Sequence, residues 1–186
     1  EPSPAAAAPL SVLECGAGCG LVGLAAALLG ARVVLTDLPV ALPTLVSNAK
    51  LNGFEVAEST GSADASAAAA AESAVEVATL DWCASVQPLL ESGRTFDLIV
   101  ASECLYDGDS VVPLLRTLHR ACKPNGRIWL GGIIGGDVVT RFRRHVERFF
   151  DGCVTLPPAD DPEREAPPVS RAVHCITRPR LHVHPD

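Results

Sequence analysis

The sequence predicts an α/β fold, a doubly wound and mostly parallel sheet of seven strands that ends in an antiparallel hairpin. Three observations support this prediction. Apolar runs of strand length alternate along the chain with helical segments. A glycine-dense turn joins the first strand to the first helix, as in folds that bind nucleotides. Acidic and aromatic residues follow the predicted strands at their carboxyl ends, where open α/β sheets bind ligands.

The glycine-dense turn occupies residues 16–20, between an apolar strand at 10–13 and a helix of small and aliphatic residues at 21–29. Glycine lets backbone N–H groups approach a ligand closely, and the start of a helix is electropositive. We therefore expect a nucleotide or a nucleoside-like cofactor here. A tight strand-to-helix turn without a ligand is the alternative.

Two features of this turn favour different cofactors. Gly18, Gly20 and Gly23 match the dinucleotide fingerprint, which would indicate an NAD-dependent oxidoreductase. Glu14, however, follows the strand directly, and its carboxylate would repel a pyrophosphate and suit a cationic ligand that carries hydroxyl groups. S-adenosylmethionine has a sulfonium, an ammonium group and ribose hydroxyls. The sequence therefore favours S-adenosylmethionine, with Glu14 as a cofactor-binding residue.

A second carboxylate follows the second predicted strand. Residues 32–36 are a β-branched run, and Asp37 comes next, at the position where α/β folds place the acid that binds ribose hydroxyls. The alternative is that Asp37 caps the helix predicted over 39–52. We expect the ribose role.

The remaining elements complete the alternation and define the domain. The prediction comprises a low-complexity insertion at 57–74, strands at 75–80, 96–102 and 127–134, helices at 111–122 and 137–150, a turn at 124–126, and a hairpin of 152–156 with 172–177. Residues 1–9 are expected to be a flexible Ala/Pro lead-in, residues 10–178 one domain and residues 179–186 a tail. The chain starts at Glu1, lacks methionine and reaches its first strand by residue 10, so we expect an N-terminal truncation.

Composition limits the partners and the compartment. The net charge is −7 and the sequence shows no clustered basic face, which argues against nucleic acid. No segment offers the roughly 18 uninterrupted apolar residues of a membrane span. The seven cysteines are scattered, without a C-x-x-C pair, so we expect reduced thiols, no metal site and a cytoplasmic location. We also expect a monomer.

Four residues after later strands suggest the chemistry. Glu103 and Tyr106 follow the apolar strand 96–102, and a carboxylate with a hydroxyl could hold an incoming amine for methyl transfer. A solvated acid and a locally packed tyrosine are the alternatives. Trp82 offers a face on which adenine can stack, and Asp81 an acceptor for its exocyclic amine. The alternative for Trp82 is a core or rim aromatic.

Five motifs, in order between about residues 10 and 150, resemble the seven-β-strand (class I) S-adenosylmethionine-dependent methyltransferases with a Rossmann-like sheet. They are similar in particular to the protein-lysine methyltransferases of the methyltransferase-like twenty-one group, within methyltransferase family sixteen. The motifs are Glu14-x-Gly-Ala-Gly-x-Gly-Leu-Val-Gly-Leu24, Leu35-Thr-Asp-Leu-Pro39, Asn48 with Leu51-Asn52, Leu80-Asp-Trp82, and Phe96-Asp-Leu-Ile-Val-Ala-Ser-Glu-Cys-Leu-Tyr106.

This resemblance implies roles for individual residues. The methionine part of the cofactor would lie against Gly16, Ala17 and Gly18. Its ribose would bind to Asp37 and its adenine would lie by Trp82. Ala101 would lie beside the cofactor. Glu103 and Tyr106 correspond to the family's acidic-x-x-Tyr motif, which usually has aspartate at the first position.

The resemblance also implies the reaction. The expected function is methyl transfer from S-adenosylmethionine to a lysine side chain of a protein, such as a chaperone, an ATPase or a translation factor. A small-molecule N-methyltransferase and a truncated module that binds cofactor or partners remain alternatives, and an NAD-dependent oxidoreductase is less favoured.

Overall fold

The computed structural model describes residues 8–59, 74–133, 136–156 and 171–179. Within these residues, strands and helices alternate along the chain. The elements are β1 Ser11–Cys15, α1 Leu21–Leu28, β2 Arg32–Asp37, α2 Leu42–Leu51, β3 Glu55–Ser59, β4 Ala74–Thr79, α3 Pro88–Glu91, β5 Phe96–Ser102, α4 Val111–Ala121, β6 Cys122–Ile133, α5 Gly136–Phe149, β7 Phe150–Leu156 and β8 Arg171–Pro179.

The strands form one sheet in the order β3-β4-β2-β1-β5-β6-β8-β7. The first six are paired in parallel, and β8 is antiparallel to both β6 and β7. The predicted doubly wound sheet and its antiparallel C-terminal pair are therefore confirmed.

The described sheet has eight strands, one more than predicted. The additional strand is β3, which occupies residues 57–59 of the predicted insertion and pairs with β4 at the sheet edge. The rest of that insertion, residues 60–73, lies outside the described residues, as do residues 1–7 of the predicted lead-in and residues 180–186 of the tail.

Both faces of the central strands are buried, because side chains alternate between the faces along each strand. In β1, Val12 packs into the core that contains residues of α1 and α2, whereas Leu13 and Cys15 pack into the core that contains residues of α4 and α5. Among the described residues, no helix is both long and apolar enough to cross a membrane.

Helix α5 corrects one expectation from the sequence, the lack of a clustered basic face. Its apolar side buries Phe142, Val146 and Phe149 in the core. Arginines at positions 141, 143, 144 and 148 are all exposed on the rest of the helix. The four arginines lie within eight residues of a helix that the sequence already predicted, and they were missed because the net charge of the whole chain, −7, does not show a local cluster.

The register of the parallel strands brings their carboxyl ends to one edge. Cys15 of β1 lies between Thr36 of β2 and Ala101 of β5. In β4, Thr79 is paired with Asp37. The loops that follow these four strands therefore meet at the same edge of the sheet, as expected for the ligand site of an open α/β fold.

Candidate active site

A cleft of about 220 Å³ lies at this edge, after β1, β2, β4 and β5. It brings together six of the ten residues that the sequence predicted for the site. Its lining consists of Gly16, Asp37, Leu38, Leu80, Asp81, Trp82, Cys83, Glu103, Cys104, Tyr106 and Ser110. The other four predicted residues, Glu14, Ala17, Gly18 and Ala101, lie outside this lining.

Gly16 is required where the turn meets the loops after β4 and β5. Its φ is +62°, and a Cβ there would lie 2.8 Å from Cys104 Sγ and 3.2 Å from the Trp82 ring. A side chain would thus be both strained and too close to its neighbours. The next two residues lie over the end of β2, since Ala17 N–H donates to Thr36 O at 2.9 Å and Gly18 N–H to Asp37 Oδ2 at 2.7 Å.

Glu14 lies beneath the turn and not in the cleft. Its side chain is 3% exposed, and Oε2 accepts a hydrogen bond of 2.8 Å from Gly23 N–H. Burial raises the pKa of this carboxyl to about 7, although the bond from Gly23 opposes the shift. A Cβ on Gly23 would collide with Leu35 Cδ2 and Glu14 Oε2. Glu14 thus holds the start of α1, and its cofactor role stays a prediction.

Asp37 connects the glycine turn with the following loop. Its Oδ2 accepts the bond from Gly18 N–H, and its Oδ1 accepts a bond of 2.7 Å from Leu38 N–H. A carboxylate has about four acceptor positions, so ribose hydroxyls could still bind to it. The alternative capping role is not observed, because α2 begins after Ala41 without a side-chain cap.

The loop after β4 is held by a residue that the sequence analysis missed. Gln87 is buried, and its Nε2 donates to the carbonyl oxygens of Asp81 at 2.9 Å and Trp82 at 3.2 Å, and to Thr117 Oγ1 at 3.1 Å. A lone glutamine before a proline gives no signal in the sequence. Its bonds keep the backbone of the predicted adenine-binding residues in place.

Trp82 lines the cleft and carries a buried hydrogen-bond donor without a partner in the described part of the chain. Its ring packs against Gly16 and is half-buried, and the donor is its Nε1. An unsatisfied buried donor costs roughly 1–3 kcal/mol. Because Nε1 is shielded in the free protein, an acceptor of a bound molecule would reach it only after a movement of the ring, and S-adenosylmethionine has such acceptors on its adenine, ribose and carboxylate. The residues of the cleft therefore fit this cofactor.

We predict that Trp82→Phe keeps the ring contact with Gly16 but weakens binding of S-adenosylhomocysteine, by roughly 1–3 kcal/mol, because the donor is lost. The free protein should be as stable as the wild type or more stable, since the unsatisfied N–H is removed. Calorimetric titration and thermal unfolding measure the two effects. Unchanged affinity together with lower stability would show that Trp82 is a structural aromatic only.

The loop after β5 starts in an unusual conformation. Glu103 is exposed and has φ +57°, the only positive φ of a non-glycine residue in the described chain. Its N–H donates to Gly131 O at 2.8 Å, and a Cβ on Gly132 would lie 3.2 Å from Glu103 Oε2. The glycine of β6 thus leaves room for the acid. Tyr106, on the same loop, is 75% exposed at the cleft.

Two residues lie beneath this loop. Ala101 is 2% exposed in the ladder of β5, below the cleft. Cys104 is buried, and its Sγ donates to Cys15 O at 3.2 Å. Burial, followed by the charges of Asp37, Glu14 and Glu103, raises the pKa of its thiol to about 12. Cys104 is therefore a neutral packing residue and not a nucleophile.

Comparison with solved structures supports the same fold. The chain aligns with a ribosomal protein L11 methylase from Lactobacillus delbrueckii subsp. bulgaricus at a TM-score of 0.58 and 20% identity, over 94% of this chain and 72% of the other. It aligns with a TehB-like SAM-dependent methyltransferase from Corynebacterium glutamicum at a TM-score of 0.56 and 19% identity, over 93% and 82%. At these identities the likeness shows the Rossmann-like methyltransferase fold.

Comparison with characterised sequences gives closer relatives. Protein N-lysine methyltransferase METTL21A of Mus musculus is 34% identical over 140 residues, which are 75% of this chain and 57% of the relative. EEF1A lysine methyltransferase 3 of Mus musculus is 30% identical over 141 residues, 75% of this chain and 53% of the relative. The chain thus spans little more than half the length of these relatives. Residues 3–149 match the family described as Lysine methyltransferase, and the chain belongs to that family.

Proposed function

We propose that the chain carries the catalytic site of an S-adenosylmethionine-dependent protein-lysine methyltransferase. The observation that supports this most strongly is the cleft itself. It places Gly16 of the glycine turn, Asp37 and Trp82 in the same lining as Glu103 and Tyr106. Groups suited to an adenosine-containing cofactor thus adjoin groups suited to an amine.

The cofactor would be held by the residues after β1, β2 and β4. S-adenosylmethionine supplies a methyl group on a sulfonium, which is already activated for transfer. Gly16 lets the backbone approach it, Asp37 accepts bonds from ribose hydroxyls, and Asp81 and Trp82 contact the adenine. The main contribution of the protein is to fix the geometry and exclude water.

The acceptor amine would be held by the loop after β5. A lysine amine is protonated at neutral pH, with an ordinary pKa of about 10.4, and must lose a proton before it can attack. The Glu103 carboxylate attracts the ammonium group and orients it by a hydrogen bond, and the Tyr106 hydroxyl offers a second partner. Asp37 also lines the cleft, which favours a cationic substrate side chain.

Ligand titration followed by label transfer tests this function. We expect S-adenosylhomocysteine to bind in calorimetry and NADH not to bind. Label from S-adenosylmethionine should then appear on lysine Nζ of a protein in a cell extract, located by mass spectrometry. Binding of NADH would favour an oxidoreductase, and label only in the low-molecular-weight fraction a small-molecule methyltransferase. Cofactor binding without label transfer to any acceptor would contradict the activity of this chain.

We also propose a cytoplasmic location and a monomeric state. The six cysteines for which the structure describes side chains are all free thiols, which supports a reducing compartment. The negative net charge supports solubility as a monomer.

A further inference from the structure

Helix α5 concentrates positive charge in a protein that is otherwise acidic. Four of the 13 arginines of the chain lie on this one helix of 14 residues, against a net charge of −7 for the whole. The two acidic residues of the helix are Asp137 and Glu147. The charge of α5 is therefore opposite to that of the protein as a whole.

Three of these arginines form a stripe. Arg141, Arg144 and Arg148 follow the spacing i, i+3, i+7, so they fall within about 60° of the helix circumference. The stripe is about 10 Å long, at 1.5 Å per residue. All three side chains are exposed. We refer to these three residues as the arginine stripe.

The charges of the stripe affect each other and their neighbour. His145 lies between them and is half-buried, and its pKa is lowered by burial and then by Arg148, Arg144 and Arg141. Arg144 forms no ion pair within the described residues, and like charges at this spacing destabilise a helix. The stripe is thus a local excess of positive charge that an anionic partner would neutralise.

The stripe starts beside a loop that contributes residues to the cleft. Arg141 Nη1 donates a hydrogen bond of 2.7 Å to Asp109 Oδ1, and Asp109 belongs to the loop that carries the cleft residues Tyr106 and Ser110. Because this ion pair is exposed, it contributes little stability, and another acid can compete for Arg141. From there, the stripe continues along the helix, away from the carboxyl edge of the sheet.

We propose that the arginine stripe is a docking surface for an acidic segment of the methyl-acceptor protein, next to the lysine that enters the cleft. This inference rests on the proposed function, since the lysine site is the one described above. The cleft attracts the positive lysine through Glu103, and the stripe attracts the negative residues beside it. The two surfaces together select a lysine that has acidic neighbours on one side.

A protein segment fits the stripe better than a nucleic acid does. Binding of single-stranded nucleic acid combines basic grooves with exposed aromatic rings on which bases stack. The aromatic side chains of α5 that the structure describes, Phe142 and Phe149, are buried in the core. The net charge of −7 would also repel a long polyanion, whereas a short acidic segment meets mainly the stripe.

Two fluorescent peptides test the proposal by direct binding. Each peptide contains one lysine. In the first peptide the lysine is followed by a run of glutamates, and in the second by a run of glutamines. Fluorescence anisotropy with S-adenosylhomocysteine present should show tighter binding of the glutamate peptide, and the difference should decrease with salt. The double variant Arg144→Gln/Arg148→Gln should weaken binding of this peptide by about fivefold or more and leave the glutamine peptide within about twofold.

The matched control is Arg32→Gln/Lys50→Gln. It removes the same charge from two exposed residues of β2 and α2, on other elements of the protein. This variant should bind both peptides as the wild type does. Reversal of charge in Arg144→Glu/Arg148→Glu should abolish the preference for glutamate. Calorimetry with S-adenosylhomocysteine confirms that each variant is folded, because the stripe does not line the cleft.

The outcomes separate the stripe from the proposed reaction. If the glutamate preference depends on the stripe while no lysine becomes methylated, the docking surface stands and the reaction does not. If lysine methylation occurs, but the two peptides bind with equal affinity and the stripe variants bind them as the wild type does, the docking surface is overturned. A loss of glutamate binding of equal size in the control would show only a general charge effect and would also overturn it. So would tighter binding of single-stranded RNA that is lost in the same stripe variant.

Discussion

Glu103→Gln is expected to lower the rate of lysine methylation about 10²-fold or more, while affinity for S-adenosylhomocysteine stays within about tenfold. The substitution keeps the shape of the side chain and removes the charge that orients the amine. Initial rates of label transfer and calorimetric titration measure the two effects. Full activity in a folded Glu103→Gln protein would remove Glu103 from the mechanism.

Glu103→Asp and Tyr106→Phe are the controls for this prediction. Aspartate keeps the charge, so activity should be retained or increased. It also adopts positive φ more readily than most residues, so the +57° backbone of this position should be less strained and the midpoint of thermal unfolding should not decrease. Tyr106→Phe should reduce the rate more mildly, because one hydroxyl is lost. Inactivity of Glu103→Asp would show that side-chain reach matters as much as charge.

Glu14→Gln should change how the stability of the protein depends on pH. The pKa of Glu14 is raised from 4.5 to about 7 in the folded protein. The folded state therefore binds this proton more tightly, and the stabilisation is fully present below pH 4.5. It is lost as the pH rises through about 7. By linkage, the carboxyl removes roughly 3 kcal/mol of unfolding free energy across this range, at 1.36 kcal/mol per pKa unit.

In Glu14→Gln, the decrease between about pH 4.5 and 7 should be absent from the free energy of unfolding measured with urea. The amide oxygen can still accept the bond from Gly23 N–H. The comparison is Glu55→Gln, which removes an exposed carboxylate of β3 and should follow the wild-type profile. Parallel profiles for wild type and Glu14→Gln would contradict the raised pKa.

The sequence was sufficient for those elements whose apolar pattern is strong. Residues 96–102 are an apolar run bounded by polar residues, and β5 has these bounds. Strand β3 was missed because its residues Glu55–Ser59 have little apolar bulk and lead into an alanine-rich stretch. Helix α3 has only four residues, too few for a periodic pattern.

The ends of strands near a turn were also difficult to predict from the sequence. Residues 124–126 were predicted as a turn but lie within β6, Cys122–Ile133. The pairing with β5 passes from Phe96↔Cys122 to Leu98↔Arg127, which is a shift in register. The predicted turn thus corresponds to an irregularity within β6 and does not end the strand. Proline and glycine indicate a break in regular pairing, but not whether the strand continues beyond it.

The site was predictable where a residue follows a strand, and less so where position depends on distant contacts. Asp37, Trp82 and Glu103 line the cleft because the carboxyl ends of parallel strands meet. Glu14 also follows the apolar run, yet β1 continues to Cys15, so its side chain is buried under α1. The space that Gly132 leaves for Glu103 depends on two residues 29 positions apart in sequence, and no local pattern shows it.

The central position of β1 affects the order in which the protein can fold during synthesis. Its neighbour on one side, β2, emerges soon after it, but its neighbour on the other side is β5. Ser11 at the start of β1 bonds to Asp97, 86 residues later. The backbone N–H and C=O groups on that side of β1 therefore stay unpaired until β5, Phe96–Ser102, has been translated. Such a long-range pairing slows folding and leaves an open strand edge that can associate with other chains until it is paired. The contact of Gly16 with Cys104 forms only when β5 has docked, so a cofactor that binds there would stabilise the completed sheet and not its nascent half.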